Sequence, residues 1–306
     1  MVLPHVDVSY RHAAANSHLL FIPSGIPVVD EQLHGGFRVG SITEIFGRAG
    51  SGKTQLAMQI CLETAKRGMM AAFIETEGKF SLDRLHQMAL VISSSDDSQQ
   101  QDVAGQRTPN DMRRQRALEN LSRILLYSAT EVDDLRGAIS AVEIEASARV
   151  DQRENLGSTA TTTTTTTECP VGIIVLDSIA APARRDFGKG DTAVRAQSLM
   201  RFAMSLKRIA ETLRLAVVVI NQIGGTAFDP GNKTDEEEKL ISDTAGALGN
   251  SWHHCASTRL LIECPTPSDA SDDGRTRQIT VTKSSYLKRG STTLLCLNQI
   301  GFKSSS

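Results

Sequence analysis

Short apolar runs alternate with longer amphipathic segments along most of the chain, and this pattern predicts strands that alternate with helices. Val171–Leu176 and Ala216–Ile220 are continuously apolar, as expected for central strands covered on both faces. Ala193–Leu213 repeats apolar residues at the i, i+3, i+4 and i+7 spacing of a helix with one buried stripe. The other predicted elements are strands Ser41–Phe46, Ala71–Ile74, Ile124–Tyr127, Thr258–Glu263, Gln278–Lys283 and Thr292–Leu297, and helices Lys53–Arg67 and Glu131–Ala148. This order predicts the α/β class, with a mostly parallel twisted sheet, helices on both faces and a final hairpin extension.

Two polar segments interrupt the alternation. Ser93–Arg116 contains only Val103, Ala104 and Met112 as apolar residues, and Arg149–Glu168 ends in the tract Thr161–Thr167. Neither segment has enough apolar surface to offset the entropy of ordering, so both are predicted to be disordered surface insertions. Three arginines of the first segment are interpreted as a solvated cluster: Arg113, Arg114 and Arg116.

Composition and charge narrow the class of protein. The 306 residues are 40% hydrophobic and 22% charged, which is ordinary for a soluble globular chain. A net charge of −2 and 4% aromatic residues argue against a protein that coats nucleic acid by charge or by base stacking alone. The chain shows no apolar run long enough to span a membrane and no secretory leader. Its five cysteines lack C-x-x-C spacing and are interpreted as reduced thiols of a nuclear or cytosolic protein.

The segment Gly47–Thr54, GRAGSGKT, fits the pattern G-x-x-x-x-G-K-[ST] between a predicted strand and a predicted helix. Glycines let backbone N–H groups surround phosphate oxygens, and the helix N-terminus adds partial positive charge. Lys53 is expected to neutralise the β- and γ-phosphates, and the Thr54 hydroxyl to ligate Mg²⁺. The sequence therefore predicts a nucleotide-binding P-loop.

Polar side chains follow three predicted strands at the edge of the sheet where α/β proteins bind ligands. Asp177 is predicted to hold Mg²⁺ and its waters, with a helix cap as the alternative. Glu75 and Glu77 share one turn, and spacing does not decide which of them could orient the attacking water, or whether both are solvated. Asn221 and Gln222 are candidates for sensing a γ-phosphate, or for ordinary turn chemistry.

The run His253-His254-Cys255 combines residue types that bind metals. On a predicted strand, consecutive side chains point to opposite faces, so these three residues cannot converge on one ion. A metal site is therefore not predicted there.

Gly25–Ala89, which includes the P-loop and the string TEGKF, resembles the ATPase core of RecA-type recombinases, in particular their eukaryotic and archaeal strand-exchange branch. Val171–Ala181 (VGIIVLDSIAA), Val217–Ile223 (VVVINQI) and Ala247–Glu263 follow in the order and spacing of that family. The resemblance implies a RecA-like P-loop ATPase core over residues 25–306 after a short segment 1–24, with ATP and Mg²⁺ as cofactors.

The resemblance also implies roles for single residues. The acid before glycine, Glu77, matches the water-polarising glutamate, Arg84 matches an arginine that stacks on adenine, and Gln222 matches the glutamine that senses the γ-phosphate. The implied catalytic residues are Glu77, Lys53 and Gln222. The implied nucleotide-binding residues are Gly47, Arg48, Ala49, Gly50, Ser51, Gly52, Lys53, Thr54, Gln55, Arg84 and Asp177, of which Thr54 and Asp177 would hold Mg²⁺.

The chain departs from the filament-forming members of this family. It is expected to lack their N-terminal helical lobe and the Phe-x-x-Ala segment that docks on a neighbouring subunit. By analogy, the DNA-facing loops would be residues 184–195 and 224–245. The first loop has a net charge of +2 and is the candidate contact for single-stranded DNA, whereas the second, at −4, should repel a strand.

The runs Asp177–Arg184 (DSIAAPAR) and Ala247–Trp252 (ALGNSW) resemble the X-ray-repair cross-complementing type of recombinase paralogue. This resemblance implies an ATP-dependent accessory factor in homologous-recombination repair, with DNA-dependent or weak ATPase activity. Its partners would be a sister paralogue and the main recombinase, in the nucleus with a cytoplasmic pool. The alternatives are a self-sufficient strand-exchange recombinase and a nucleotide-bound scaffold without turnover.

Overall fold

The computed structural model describes residues 19–93, 108–155, 169–186, 192–223, 250–265, 275–298 and 301–304. The strands in these ranges are β1 (Phe21–Ile22), β2 (Phe37–Arg38), β3 (Ile42–Gly47), β4 (Met70–Glu75), β5 (Ile124–Ser128), β6 (Val171–Asp177), β7 (Ala216–Gln222), β8 (Thr258–Glu263), β9 (Thr276–Lys283), β10 (Thr292–Asn298) and β11 (Gly301–Ser304). The helices are α1 (Pro27–Gln32), α2 (Lys53–Lys66), α3 (Leu82–Ile92), α4 (Pro109–Ser122), α5 (Val132–Asn155), α6 (Ala180–Asp186), α7 (Thr192–Leu213) and α8 (Asn250–Cys255). None of these helices has the length and apolar character needed to cross a membrane.

Nine strands form one sheet in the order β11-β10-β9-β8-β3-β7-β6-β4-β5, and β1 and β2 form a separate antiparallel pair. The strands from β8 to β5 pair in parallel, and β9, β10 and β11 extend the sheet through antiparallel pairing. The hairpin extension expected from the sequence is therefore present.

Both faces of the sheet are covered by helices. In β7, Val218 and Ile220 face one apolar core, and Val217 and Val219 face a second core on the opposite side. Helix α2 packs into the first core and α7 into the second. The prediction of an α/β fold with a mostly parallel sheet between two helical layers is confirmed.

The strand order brings four strand ends together. Strands β3, β7, β6 and β4 are consecutive in the sheet, so their carboxyl ends share one edge. Gly47 on β3 pairs with Gln222 on β7, and Asp177 on β6 pairs with Glu75 on β4. This register places the polar residues predicted for the site on neighbouring strand ends.

Helices extend into both predicted insertions, and residues 94–107 and 156–168 of these segments lie outside the described residues. Residues 109–116, interpreted from sequence as part of a disordered loop, form the first half of α4, and α5 continues through residue 155 into the second segment. Thr108 caps α4 by accepting a hydrogen bond from the Asp111 N–H, and Pro109 fits the first helical turn. The interpretation of Arg113 as part of a solvated cluster is wrong, because its Nε donates to the Leu90 carbonyl of α3 at 2.6 Å.

Two other boundaries differ from the sequence analysis. Residues 253–255, interpreted from sequence as strand, lie in helix α8, whereas the predicted strand Thr258–Glu263 is present with the same bounds. Ile22 is fully buried in the first core, so the core includes residues before Gly25. Short elements with few apolar positions give weak periodicity, which is why α8, α1 and the β1–β2 pair were not predicted.

Strand β11 is attached to α2 by a side-chain amide. Gln59 Nε2 donates to the Phe302 carbonyl at 3.0 Å, and the Phe302 N–H donates to Gln59 Oε1 at 2.8 Å. Both groups are buried, so one glutamine side chain satisfies two backbone groups of the edge strand.

We expect Gln59→Leu to lower the free energy of unfolding by about 1–3 kcal/mol, because the buried backbone groups of Phe302 lose their partners. Guanidinium denaturation of the purified chain measures this change. Gln115→Leu on the exposed face of α4 is the matched control and should stay within about 0.5 kcal/mol of the unsubstituted chain. Equal stability of the two variants would contradict the structural role of Gln59.

Candidate nucleotide-binding site

The predicted P-loop lies between β3 and α2, and its glycines are needed for steric reasons. A Cβ on Gly47 would lie 2.1 Å from the Ile262 carbonyl oxygen on β8, and a Cβ on Gly52 would lie 2.6 Å from the ring of Phe302. Gly50 and Gly52 have φ of +78° and +95°, which L side chains rarely adopt. Arg48, Ala49 and Gly50 form the exposed rim of the loop, and Ser51 is buried.

Lys53 lies inside the curve of the loop. Its Nζ donates to the carbonyls of Gly47 and Arg48 at 2.9 and 2.6 Å and to Ser51 Oγ at 3.4 Å. Burial lowers the pKa of Lys53 to about 8, and the negative charges of Asp177 and Glu77 oppose this shift. A buried ammonium on a ring of carbonyls is suited to exchange those partners for phosphate oxygens.

The first residue after the lysine contacts the end of β6. Thr54 Oγ1 donates to Asp177 Oδ2 at 2.6 Å. Burial raises the pKa of Asp177, and the hydrogen bond from Thr54 opposes that shift. A hydroxyl beside a carboxylate is the oxygen donor set that Mg²⁺ takes when it is also held by phosphates and water.

The two acids of the turn after β4, Glu75 and Glu77, have different hydrogen-bond partners. Glu77 Oε1 accepts hydrogen bonds from Gln222 Nε2 at 2.8 Å and from Ser178 Oγ at 3.0 Å. Glu75 accepts from the Gly78 N–H at 2.7 Å and from a serine of β5, and so stabilises its own turn. Of the two acids, Glu77 is the one that contacts the end of β7 and the residue that follows β6.

Glu77 is ionised and fully hydrogen-bonded. Burial would raise its pKa, but hydrogen bonds from Lys79 and Ser178 and the charges of Lys79 and Arg184 outweigh burial, so the pKa lies below its usual value. Lys79 forms an ion pair with Oε2, while Oε1 holds Ser178 and Gln222.

Asn221 and Gln222 have different surroundings despite being adjacent. Gln222 extends to Glu77, whereas Asn221 is buried and donates to Glu44 Oε1 at 2.7 Å. Asn221 Oδ1 also accepts the backbone N–H of Gln222 at 2.8 Å. The next N–H, that of Ile223, donates to the Gly47 carbonyl, which ties this strand end to the P-loop.

Arg84 on α3 and Gln55 on α2 are in direct contact. Arg84 Nε donates to Gln55 Oε1 at 2.8 Å, and Arg84 Nη2 approaches the Asn298 carbonyl of β10 at 3.5 Å. The guanidinium plane predicted to stack on adenine is thus held between helix α2 and the antiparallel extension of the sheet.

The start of the first predicted DNA-facing loop is attached to the core. Arg185 Nη1 donates to the carbonyls of Thr76 and Thr130 at 3.0 and 2.8 Å. Asp186 Oδ2 accepts the Val132 N–H at the start of α5 at 2.7 Å. Residues 187–191 of this loop, and all of the second loop, 224–245, lie outside the described residues.

Sequence reasoning missed three residues that support the site. Ser178 follows Asp177 through a cis peptide bond, and its backbone pairs with the Thr76 hydroxyl while its own hydroxyl reaches Glu77. Arg277 Nε donates to the Ser51 carbonyl at 3.3 Å, and the Phe302 ring lies against Gly52. Ser178 could have been found from its position after a buried strand, but Arg277 and Phe302 are too distant in sequence to leave a signal.

Together these residues fit a nucleoside triphosphate with its metal ion. The loop offers a glycine cradle and a buried ammonium, the Thr54–Asp177 pair offers oxygen ligands, and Glu77 and Gln222 meet at the adjacent strand ends. The fold and the site define a P-loop protein with a RecA-like α/β core.

Comparison with known proteins identifies the family. The Rad51 family model matches residues 15–140 and 137–288, so the chain belongs to the Rad51 family. The chain is 28% identical over 286 residues to human "DNA repair protein RAD51 homolog 2", covering 86% of this chain and 64% of that protein. It is 29% identical over 270 residues to bovine "DNA repair protein XRCC3", covering 83% of this chain and 67% of that protein.

Baker's yeast "DNA repair protein RAD51" is also similar, at 29% identity over 256 residues, covering 80% of this chain and 51% of that protein. The chain thus spans about two thirds or less of the length of these relatives. The fold is similar to that in the crystal structure of the RadB recombinase, with a TM-score of 0.58 and 21% sequence identity over 94% of this chain and 100% of that chain. The resemblance to RecA-type recombinases and their paralogues is confirmed.

The lowered pKa of Lys53 predicts pH-dependent nucleotide affinity. Between about pH 7 and 9 the ammonium of the free site loses its proton, so affinity for ADP should fall by about tenfold. Titration with a fluorescent ADP analogue at each pH measures the change. Lys53→Arg is the matched control, because its side chain stays charged over this range and its affinity should not vary with pH. A flat profile for the unsubstituted chain would contradict the prediction.

Proposed function

We propose that this chain is an ATP-dependent accessory factor in homologous-recombination repair, which helps to assemble or stabilise a recombinase filament. The observation that carries the proposal is the complete set of P-loop groups at one edge of the sheet, with Glu77 in contact with Gln222. ATP would supply the γ-phosphoryl group and Mg²⁺ the charge that neutralises the phosphates.

Each group has one role in this proposal. Lys53 binds the phosphates, and Thr54 with Asp177 holds Mg²⁺. Glu77 accepts the proton of the attacking water, and Gln222 senses the γ-phosphate while it contacts Glu77. Arg84, with Gln55 beside it, covers the base.

The surroundings of Glu77 support slow rather than fast hydrolysis. A general base works best when its pKa is near the working pH, and the pKa of Glu77 is lowered from an already acidic value. Both of its carboxylate oxygens also hold donors from the protein. Hydrolysis then requires these contacts to rearrange, which is consistent with a weak ATPase or one stimulated by DNA.

The loops support an accessory role over an independent filament. Residues 224–245 carry a net charge of −4, which opposes DNA phosphates. In the basic loop 184–195, Arg185 and Asp186 already bind the core, so Arg184, Lys189 and Arg195 remain as candidates for contact with single-stranded DNA. In this proposal the chain acts in the nucleus, and its partners are a sister paralogue and the main recombinase. The names of similar proteins support a role in DNA repair.

Exchange of single carboxylates tests the catalytic assignment. Glu77→Gln should lower the rate of ATP hydrolysis by about 100-fold or more while nucleotide affinity is kept, because the general base is lost. Glu75→Gln is the matched control in the same turn and should keep the rate within a few-fold. Phosphate release measures hydrolysis, with single-stranded DNA and the partner present.

A Glu77→Gln variant that hydrolyses ATP normally would indicate a different general base. No turnover by the unsubstituted chain would favour a scaffold.

Size-exclusion chromatography separates the accessory role from the alternative. With ATP and Mg²⁺, the purified chain should stay small when single-stranded DNA is added, and Lys53→Ala should lose nucleotide-dependent association with its partner. Large DNA-bound assemblies of the chain alone would show a self-sufficient recombinase instead.

A further inference from the structure

A line of polar side chains, buried at its centre and half-buried at His253, connects Gln222 to helix α8. The Gln222 N–H donates to Asn221 Oδ1 at 2.8 Å, and Asn221 Nδ2 donates to Glu44 Oε1 at 2.7 Å. Arg259 Nε then donates to Glu44 Oε2 at 2.5 Å, and Arg259 Nη1 meets His253 Nδ1 at 2.6 Å. We call Asn221, Glu44, Arg259 and His253 the buried relay.

The centre of the relay is almost sealed from water. Glu44 is 0% exposed, and Arg259 and Asn221 are each 2% exposed, on strands whose other residues are mostly buried. The Arg259 guanidinium also lies over the Phe46 ring, 4.4 Å from its centroid. A well-packed apolar pair is often as stable as a buried ion pair, so stability alone does not explain these charges. Instead, these charges fix the orientation of the side chains, since each hydrogen bond within the relay joins two neighbouring strands or a strand and helix α8.

Asn221 connects the relay to the backbone of Gln222, and the orientation of its side-chain amide is fixed. A flipped amide would point its oxygen at the Glu44 carboxylate and its NH₂ group at the Gln222 N–H. The backbone of Gln222 is held relative to β3 both by its pairing with Gly47 and by the Asn221 side chain, and its own side chain reaches Glu77 from that position.

His253 ends the relay as an acceptor. Arginine only donates, so Nδ1 carries the lone pair and the ring is the neutral tautomer with its proton on Nε2. Burial, then the charges of Arg259, Lys283, His254 and Arg289, lower the pKa of His253 to about 4, so the ring is neutral at physiological pH. Lys283 holds the end of α8 by donating to the carbonyls of His253 and Ala256 at 2.6 and 2.8 Å.

We propose that His253 and Arg259 are positioning residues for Gln222, so that the site distinguishes a γ-phosphate fully only when helix α8 is held in the relay. This inference rests on the proposed role of Gln222 as the residue that senses the γ-phosphate. The inference assigns a function to His253, which belongs to no metal-binding cluster among the described residues and has no hydrogen bond to the P-loop.

The ratio of the ADP to the ATPγS dissociation constant tests the inference without requiring turnover. His253→Phe keeps an aromatic ring but removes the acceptor, and should lower this ratio by about fivefold, the value of one hydrogen bond. His253→Gln supplies a side-chain oxygen for Arg259 and should recover most of the discrimination. Both ratios are measured with fluorescent nucleotide analogues on the full chain, whose circular dichroism and melting temperature establish that each variant is folded.

A double-mutant cycle tests the connection to Gln222. Gln222→Ala should lower the ratio, and adding His253→Phe to it should cause little further loss, because both changes remove the same effect. His254→Phe is the matched control: this exposed neighbour should leave the ratio unchanged and should add independently to Gln222→Ala. Additive effects of His253→Phe and Gln222→Ala would overturn the relay, as would a failure of His253→Gln to restore discrimination in a folded protein.

The outcomes separate this inference from the proposed function. A chain that discriminates ATPγS from ADP through His253 but never hydrolyses ATP would support the relay and refute the ATPase. A chain that hydrolyses ATP while His253→Phe keeps full discrimination would support the ATPase and refute the relay. Equal affinity of the unsubstituted chain for the two nucleotides would also refute the relay.

Discussion

Parallel hydrogen bonding among β3, β7, β6 and β4 determines where every polar group of the site lies. Because these strands are neighbours and run in the same direction, their carboxyl ends come out at one edge, in register. The P-loop lysine, Gln222, Asp177 and Glu77 follow different strands, and two of them, Gln222 and Glu77, are in direct contact at this edge. The apolar cores on both faces hold this edge rigid while leaving its polar ends open to a ligand.

The charges at this edge are balanced by specific contacts. Lys53 is compensated by loop carbonyls, Glu77 by Lys79, Ser178 and Gln222, and Asp177 by Thr54. A nucleotide with Mg²⁺ would replace several of these contacts at once, since its phosphates attract the cation and its metal attracts the carboxylate. Binding and rearrangement of the strand ends are therefore the same event.

The sequence was sufficient for features that depend on local pattern. Continuous apolar runs identified β6 and β7, and the glycine and lysine spacing identified the P-loop. It was insufficient where polar residues lie inside strands, because Glu44 and Arg259 find each other only after β3 and β8 pair. Helix α8 was mistaken for strand because its six residues are too few for a helical period to show. The choice of Glu77 over Glu75 came from family resemblance, and the contacts of the two acids give it a physical reason.

The contact between Gln59 and Phe302 has a consequence for the biosynthesis of the protein. The two residues are 243 positions apart, and Phe302 also packs against Gly52 in the phosphate loop. On the ribosome, β3 and α2 emerge long before the strand that supports them, so the phosphate loop of the nascent chain stays without this support until β11 has been made.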